Sequence, residues 1–318
     1  EERAKTERKM SKDLRFDDRV VVITGAGNGL GRTYALMFGA RGAKVVVNDL
    51  GTSTRGEGTE LSPADKVVDD IRKAGGEAVA NYDSVEHGDK IIQTAIDAFG
   101  RIDILINNAG ILRDVSFANM KDSEWDIIHT VHLKGAYSCT KAAWNVMRQQ
   151  GFGKIIMTTS AAGLYGNAGQ ANYSSAKLAL LGLANSLAIE GLNKNVCVNT
   201  IAPVAGTRMT ATVMPQDLLD ALKTEYIAPL VLYLCHENTD VSGKLFEVGA
   251  GWVSMVRRVR TQGAALPPPF TPEDVRSVLP QVEDLSKPVI PNTIQDSLLT
   301  MAQLLSQQRP PLPKLPED

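Results

Sequence analysis

The sequence predicts an α/β protein: a doubly wound, parallel, seven-stranded sheet with helices on both faces, followed by a proline-rich C-terminal extension. Three observations predict it. Seven short runs, nearly continuous in Val, Ile and Leu, alternate with longer amphipathic segments between Arg19 and about Gly251. Each run is followed by Gly, Asn, Asp or Pro. From Pro267 onward lie 11 of the chain's 15 prolines.

The runs are, in order, "RVVVITG", "AKVVVND", "GEAVANYD", "IDILINNAG", "KIIMTTS", "NVCVNTIAP" and "GKLFEVGAG". Strands buried on both faces have this composition, and strands that alternate with helices form a parallel sheet covered on both sides. Together they define one domain over residues 13–260. Before it, residues 1–12 carry charge without an apolar core, so they are no secretory signal. That leader is expected to be disordered or foreign to the natural chain, with Met10 as a candidate start. After the domain, residues 261–318 hold prolines too dense for long helices or sheet interiors. An extended tail or linker is expected there, with one short helix in "NTIQDSLLTMAQLLSQQ", capped near Asn292 or Thr293.

Composition excludes several classes. A formal charge of −2 and a hydrophobic fraction of 43% are ordinary for a globular chain, and neither suggests nucleic acid or a membrane surface as partner. No apolar run approaches the ~20 residues that span a bilayer. Cys139, Cys197 and Cys235 are scattered and odd in number, which favours buried free thiols in a reducing compartment. With the four histidines they form no set of metal-ligand spacing, so no metal is expected.

The first strand runs into "TGAGNGLGRTYALMFGARG", where Gly25, Gly29 and Gly31 follow a G-x-x-x-G-x-G spacing between strand and helix. Such a turn lets backbone approach a pyrophosphate, whose charge sits at the positive end of the helix dipole. The next strand ends in Asp49. A carboxylate there accepts hydrogen bonds from both ribose hydroxyls and repels a 2′-phosphate, and Asn28 offers such a phosphate no positive charge. The pattern is that of a Rossmann-type site for NAD in preference to NADP. Asp83 and Ser84 at the third strand's end can meet the adenine. In "NNAG" the small residues of Asn108, Ala109 and Gly110 let the cofactor lie close.

The segment "QANYSSAKLALLGLANSLAIEG" is apolar on most sides of a helix, yet Tyr173 and Lys177 stand four residues apart at its start. A secondary alcohol loses hydride only as its hydroxyl proton leaves, which requires a base. Free tyrosine, with a pKa near ~10, is a poor base at neutral pH. An adjacent ammonium, with the charge of oxidised nicotinamide, is expected to stabilise the phenolate and lower that value. Ser160, at the end of "IIMTTS", is placed to hydrogen-bond and orient the substrate oxygen.

With TGxxxGxG, NNAG, Ser and YxxxK in this order, the chain resembles the short-chain dehydrogenase/reductases from about Asp13 to Val253. "VVVNDLGT", "ANYDSV", "NNAGILRD", "VHLKGAY", "GLYGNAGQANYSSAK" and "LFEVGAGW" bring it closest to the (3R)-hydroxyacyl-CoA dehydrogenase branch of peroxisomal β-oxidation. The resemblance implies NAD-dependent oxidation of (3R)-3-hydroxyacyl-CoA to 3-ketoacyl-CoA. It implies Tyr173 as base with Lys177 and Ser160 as partners, and Lys177 also on the cofactor's ribose. It places Leu30 at the pyrophosphate, Asp49 at the adenosine ribose, Ser84 and Val85 at the adenine, and Asn108 at the other ribose. The carboxamide falls to Ala205, Gly206, Thr207 and Arg208, although the Pro-Gly usual there is missing.

Most of the superfamily has Asn 41 positions before the tyrosine, holding a proton-relay water; here that place is His132. Imidazole can bind the water or relay protons itself, having a pKa near neutral. The alternative is a helix histidine whose backbone alone matters. The resemblance further implies a peroxisomal setting, an acyl-CoA partner, and a hydratase following the dehydrogenase in a longer parent chain, unless this is a stand-alone relative. Helices over Leu133–Gln149 and Ser175–Gly191 are apolar on more faces than one sheet buries, and a homodimer is expected. Met209, Met214, Leu218, Leu219 and Leu222 suit an acyl groove or simply the core. Arg208, Arg257, Arg258 and Arg260 are candidates for the CoA phosphates. Hydroxysteroid or other secondary-alcohol oxidation is the competing enzyme reading, and a non-catalytic NAD-binding module the competing non-enzyme one.

Overall fold

A computed structural model describes residues 13–53, 55–57, 62–206 and 221–308. The leader, Thr207, Arg208, Met209, Met214, Leu218 and Leu219 lie outside the described residues. Contacts divide the chain into two compact units, Glu1–Met255 and Val256–Asp318.

All seven expected strands form: β1 (Val20–Thr24), β2 (Lys44–Asn48), β3 (Glu77–Asn81), β4 (Ile104–Asn107), β5 (Gly153–Thr158), β6 (Val196–Pro203) and β7 (Leu245–Gly249). An eighth, β8 (Trp252–Val256), joins the sheet beside β7. The link between them is Ala250 and Gly251, both at positive φ (49° and 79°), the backbone of a tight hairpin turn. So short a link joins only antiparallel neighbours. β8, largely exposed, follows β7 after two residues with no helix between them, so the alternation of strand and helix stops at seven.

The order is β3-β2-β1-β4-β5-β6-β7-β8, with β1 through β7 paired in parallel. Within each strand alternate residues enter opposite cores. Val21, Ile23, Val45, Val47, Ile104 and Ile106 pack on one face, Val20, Val22, Val46 and Leu105 on the other. The first face is covered by α1 (Gly29–Ala40), α2 (Ser62–Lys73) and, later in the chain, α8 (Ala228–Cys235). The second is covered by α3 (Gly88–Phe99), α5 (Gly135–Gln150) and α7 (Ala171–Gly191). Two further helices, α4 (Asp122–His129) and α6 (Ala161–Tyr165), pack against α7. Strand order reverses between β1 and β4, which opens a crevice at their carboxyl ends.

The second unit holds α10 (Ile294–Gln308), where a helix was expected. Thr293 caps it, its hydroxyl accepting the Asp296 N–H at 3.1 Å while Asp296 accepts the Thr293 N–H at 3.0 Å. It also holds α9 (Pro272–Glu283), which the proline count argued against. Pro272 sits in the first turn, where no N–H is missed, and Thr271 and Asp274 form a capping box. Pro280 falls near the other end. Proline density marks helix ends here more than it forbids helix.

Candidate active site

The turn after β1 is built around contacts that exclude side chains. A Cβ on Gly31 would stand 2.3 Å from the Gly25 carbonyl oxygen and 2.7 Å from Asn108 Nδ2. Gly25 has φ +64°, and a Cβ there would meet Ala109 Cα at 2.8 Å. The sequence motif thus packs against NNAG across the switch point. Asn108 does the tying: its Nδ2 donates to the carbonyls of Thr24 (2.9 Å) and Gly25 (3.0 Å). Thr24 Oγ1 accepts the amides of Asn108 (3.0 Å) and Ala109 (3.1 Å). The resemblance assigned Asn108 to a ribose; in the fold its amide group holds the glycine turn. Asn28 stands at the N-cap of α1 without a side-chain cap bond, so the helix amides beyond it stay available near Leu30.

Asp49 is half-buried and fixed by two backbone donors, Gly27 N–H to Oδ2 and Gly51 N–H to Oδ1, both at 2.8 Å. A Cβ on Gly27 would come within 2.7 Å of that carboxylate. Gly27 escaped the motif reading because its partner lies beyond another strand, and Gly51 because it stands outside the glycine turn. Asp83 has its carboxylate on Asn81 Nδ2 at 2.9 Å, and Ser84 caps a short turn over Val85–His87. Val85 points inward, so close that a Cβ on Gly135 would meet it at 2.4 Å; only its backbone can face an adenine. Ala205 is buried, and Gly206 N–H donates to Leu222 O at 2.6 Å.

Ser160 closes β5 at the N-cap of α6, Tyr173 and Lys177 stand on the first turns of α7, and the three meet. The Ser160 side chain acts on the phenol, favouring its charged form. Lys177 Nζ lies 5.6 Å from the Tyr173 ring centre and donates to Thr158 O at 2.7 Å. The expected depression of the phenol by this ammonium does not occur in the protein by itself. Burial pushes Tyr173 up to about 12, with the Ser160 bond working against it and the Asp114 charge with it. Burial also brings Lys177 down to about 7. Both groups resist charging because desolvation leads in each.

His132 lies in a π turn, Thr130–Lys134, inserted between α4 and α5. The widened turn seats its ring in the interior, 2% exposed, edge-on to Tyr173 at 5.2 Å. Nε2 is 2.8 Å from the Ile111 carbonyl and 3.1 Å from its amide. A Cβ on Gly110 would strike the ring at 2.5 Å. Burial first, then the Lys177 charge, hold the imidazole well below its ordinary range. Both causes oppose the charged form of the imidazole. Its Nδ1, Asn107 Oδ1 and Thr158 Oγ1 are buried without a partner among the described residues. Asn107, His132, Thr158 and Lys177 border a cavity with room for about one water.

Beside Tyr173 stands Asn172, which no motif singled out. That side chain is fully buried and bonded at both ends. Of the candidates for the substrate's phosphates, Arg260 is occupied by Ser297 and Thr300, whereas Arg257 and Arg258 are exposed. The three cysteines are free and buried. Among the described residues no helix is long and apolar enough to cross a membrane, and no group of three His, Cys, Asp or Glu comes together.

A crevice at a switch point, with a phosphate-sized backbone turn on one wall and a proton-handling phenol on the other, defines a dinucleotide-linked oxidoreductase. The particular family follows from comparison: the short chain dehydrogenase model matches residues 19–218, and the chain belongs to that family. Its members work with NAD or NADP. The chain is 58% identical over 299 residues to the peroxisomal multifunctional enzyme type 2 of Mus musculus, covering 93% of this chain and 41% of that protein. It is 46% identical over 272 residues to a short-chain type dehydrogenase/reductase of Mycobacterium tuberculosis, 85% of this chain and 95% of that one. The solved full-length multifunctional enzyme type 2 of Drosophila melanogaster superposes with a TM-score of 0.81 at 45% identity, over 93% of this chain and 51% of that one. The chain thus spans about half, or less, of the length of the mouse and fly multifunctional enzymes.

Proposed function

We propose that this chain catalyses NAD-dependent oxidation of (3R)-3-hydroxyacyl-CoA to 3-ketoacyl-CoA, as the dehydrogenase step of peroxisomal fatty-acid β-oxidation. The observation that carries the chemistry is the meeting of Ser160, Tyr173 and Lys177 at the carboxyl edge of the sheet, beside the crevice. The substrate reading is supported by the relatives named peroxisomal multifunctional enzymes, 51–58% identical over at least nine-tenths of this chain.

The residues fit a dinucleotide. The Gly25–Gly31 turn leaves backbone bare for a pyrophosphate, and Asp49, held by two amides, has lone pairs left for ribose hydroxyls and none of the charge that a 2′-phosphate needs. This favours NAD. Bound there, NAD supplies the hydride acceptor and a positive ring. Tyr173, its own proton first released as that positive charge favours the phenolate, accepts the alcohol proton at its oxygen, and Ser160 holds the substrate oxygen. Lys177, down near 7, is poised to lose or gain a proton at neutral pH. Neutral His132 takes part through a hydrogen bond at Nδ1 toward the adjoining cavity. The chain is read as a homodimer, supported by Leu178 and Ile189 standing exposed on α7.

The deciding experiment measures NADH formation from NAD with (3R)- and (3S)-3-hydroxyacyl-CoA separately. Turnover of the R isomer alone is expected. A second reading, hydroxysteroid oxidation, is favoured by the fold match to a 7α-hydroxysteroid dehydrogenase complexed with NADH (TM-score 0.67, 29% identity). Failure of both acyl-CoA isomers alongside turnover of a hydroxysteroid would replace the first reading with the second.

A further inference from the structure

The first turn of α7 is lashed to the loop that follows NNAG. Gln170 Nε2 donates to Asp114 Oδ2 at 2.8 Å, and the Val115 N–H donates to Gly169 O at 2.9 Å. Asn172 is the innermost tie. Its Oδ1 accepts the N–H of Tyr173 at 2.8 Å, and its Nδ2 donates to the carbonyls of Arg113 and Glu124, both at 3.1 Å. The side chain is 0% exposed, so none of these bonds can be replaced by bulk water.

Three segments converge on this one amide: the helix that carries Tyr173, the loop beside Ile111, and the end of α4's first turn at Glu124. An amide N–H in a helix's first turn has no partner within the helix. The residue before α7, Gln170, gives no side-chain cap bond. Asn172 satisfies the N–H of Tyr173 from within the turn and ties that turn to the Ile111 loop. The same loop holds His132 Nε2 at Ile111, so the Tyr173 backbone and the His132 ring are referred to one piece of chain. Only a side chain with both an acceptor and two N–H donors closes the set.

We propose that Asn172 is a positioning residue for the reaction: it holds Tyr173 in the geometry for proton removal, acting through the Tyr173 amide and the Arg113 and Glu124 carbonyls. The proposal rests on the reading of Tyr173 as base. A displacement of about 1 Å at the reacting phenol costs on the order of 10²-fold in rate.

The test compares Asn172→Ala and Asn172→Asp with the unaltered chain. The Asp variant is nearly isosteric and keeps the acceptor for the Tyr173 N–H. It sets oxygen against the Arg113 and Glu124 carbonyls and adds a negative charge beside the base. Expected is a fall in kcat on the order of 10²-fold in both variants, with the Kd for NADH, read by fluorescence, changed less than about twofold. In Asn172→Asp the rising limb of kcat against pH moves to higher pH, because a nearby anion opposes the phenolate. A merely structural role lowers Tm in both variants but leaves kcat per folded molecule and the pH limb where they were; that result overturns the proposal. If the unaltered chain oxidises another secondary alcohol and not (3R)-3-hydroxyacyl-CoA, the substrate reading falls and the same comparison runs on that alcohol. If it oxidises none, amide hydrogen exchange decides. Faster exchange in peptides covering both Arg113 and Tyr173 supports the tie, and unchanged exchange refutes it.

Discussion

Lys177 offers the sharpest test of the site's electrostatics, because its burial predicts a stability that depends on pH in one direction only. Folding brings its pKa from the ordinary 10.5 to about 7 through desolvation. At about 1.36 kcal/mol for each pH unit, that difference is roughly 5 kcal/mol. Between about pH 7 and 10.5 the unfolded chain holds a proton that the folded chain has released, so stability rises with pH across this window. Below about 7 both states are protonated and the full penalty is in place; above about 10.5 neither is, and it has gone. Lys177→Met carries no titrating group. Its lost bond to Thr158 O is the same at every pH and cancels from the slope. The stability of the unaltered chain relative to Lys177→Met should therefore climb by about 3 kcal/mol from pH 7 to 9.5. Urea denaturation of both dinucleotide-free proteins at several pH values measures it. A difference flat to within about 0.5 kcal/mol over that range means an ordinary lysine, and the desolvation account of the site fails.

Tyr173→Phe should keep NADH binding and lose turnover by on the order of 10³-fold or more, seen in steady-state kinetics beside a fluorescence titration; retained turnover removes Tyr173 as base. Asp49→Ala, which strips Gly27 and Gly51 of their acceptor, should weaken NAD and partly admit NADP, read as the ratio of kcat/KM for the two. An unchanged ratio denies Asp49 its ribose role. Gly31→Ala drives a methyl into the Gly25 carbonyl and should abolish dinucleotide binding and lower Tm, whereas Gly182→Ala, where a Cβ meets nothing within 4 Å, should leave binding unchanged and raise Tm slightly.

What the sequence determined by itself is what local chemistry writes. The seven inner strands are legible because a strand buried on both faces must be apolar at every position. The glycine turn is legible because a close backbone approach tolerates no Cβ, and the Tyr173–Lys177 pair because one helical turn is a fixed distance. Asp49 is legible as the residue that ends the second strand. Tertiary structure decided the rest. Whether Lys177 lowers or fails to lower the phenol depends on how much water both groups lose, and spacing contains no measure of water. The push on His132 toward its neutral form comes from a π turn that buries its ring under Gly110, a register detail without a composition of its own. Asn172 looks like any polar residue beside a tyrosine until the Arg113 loop and α4 are brought against it from 48 to 59 positions away. β8 and α9 escaped notice because β8 follows β7 with no helix between them and a well-placed proline can open a helix. Sequence names the groups that can do chemistry; burial, which is a property of all the surrounding chain at once, sets their charge and their aim.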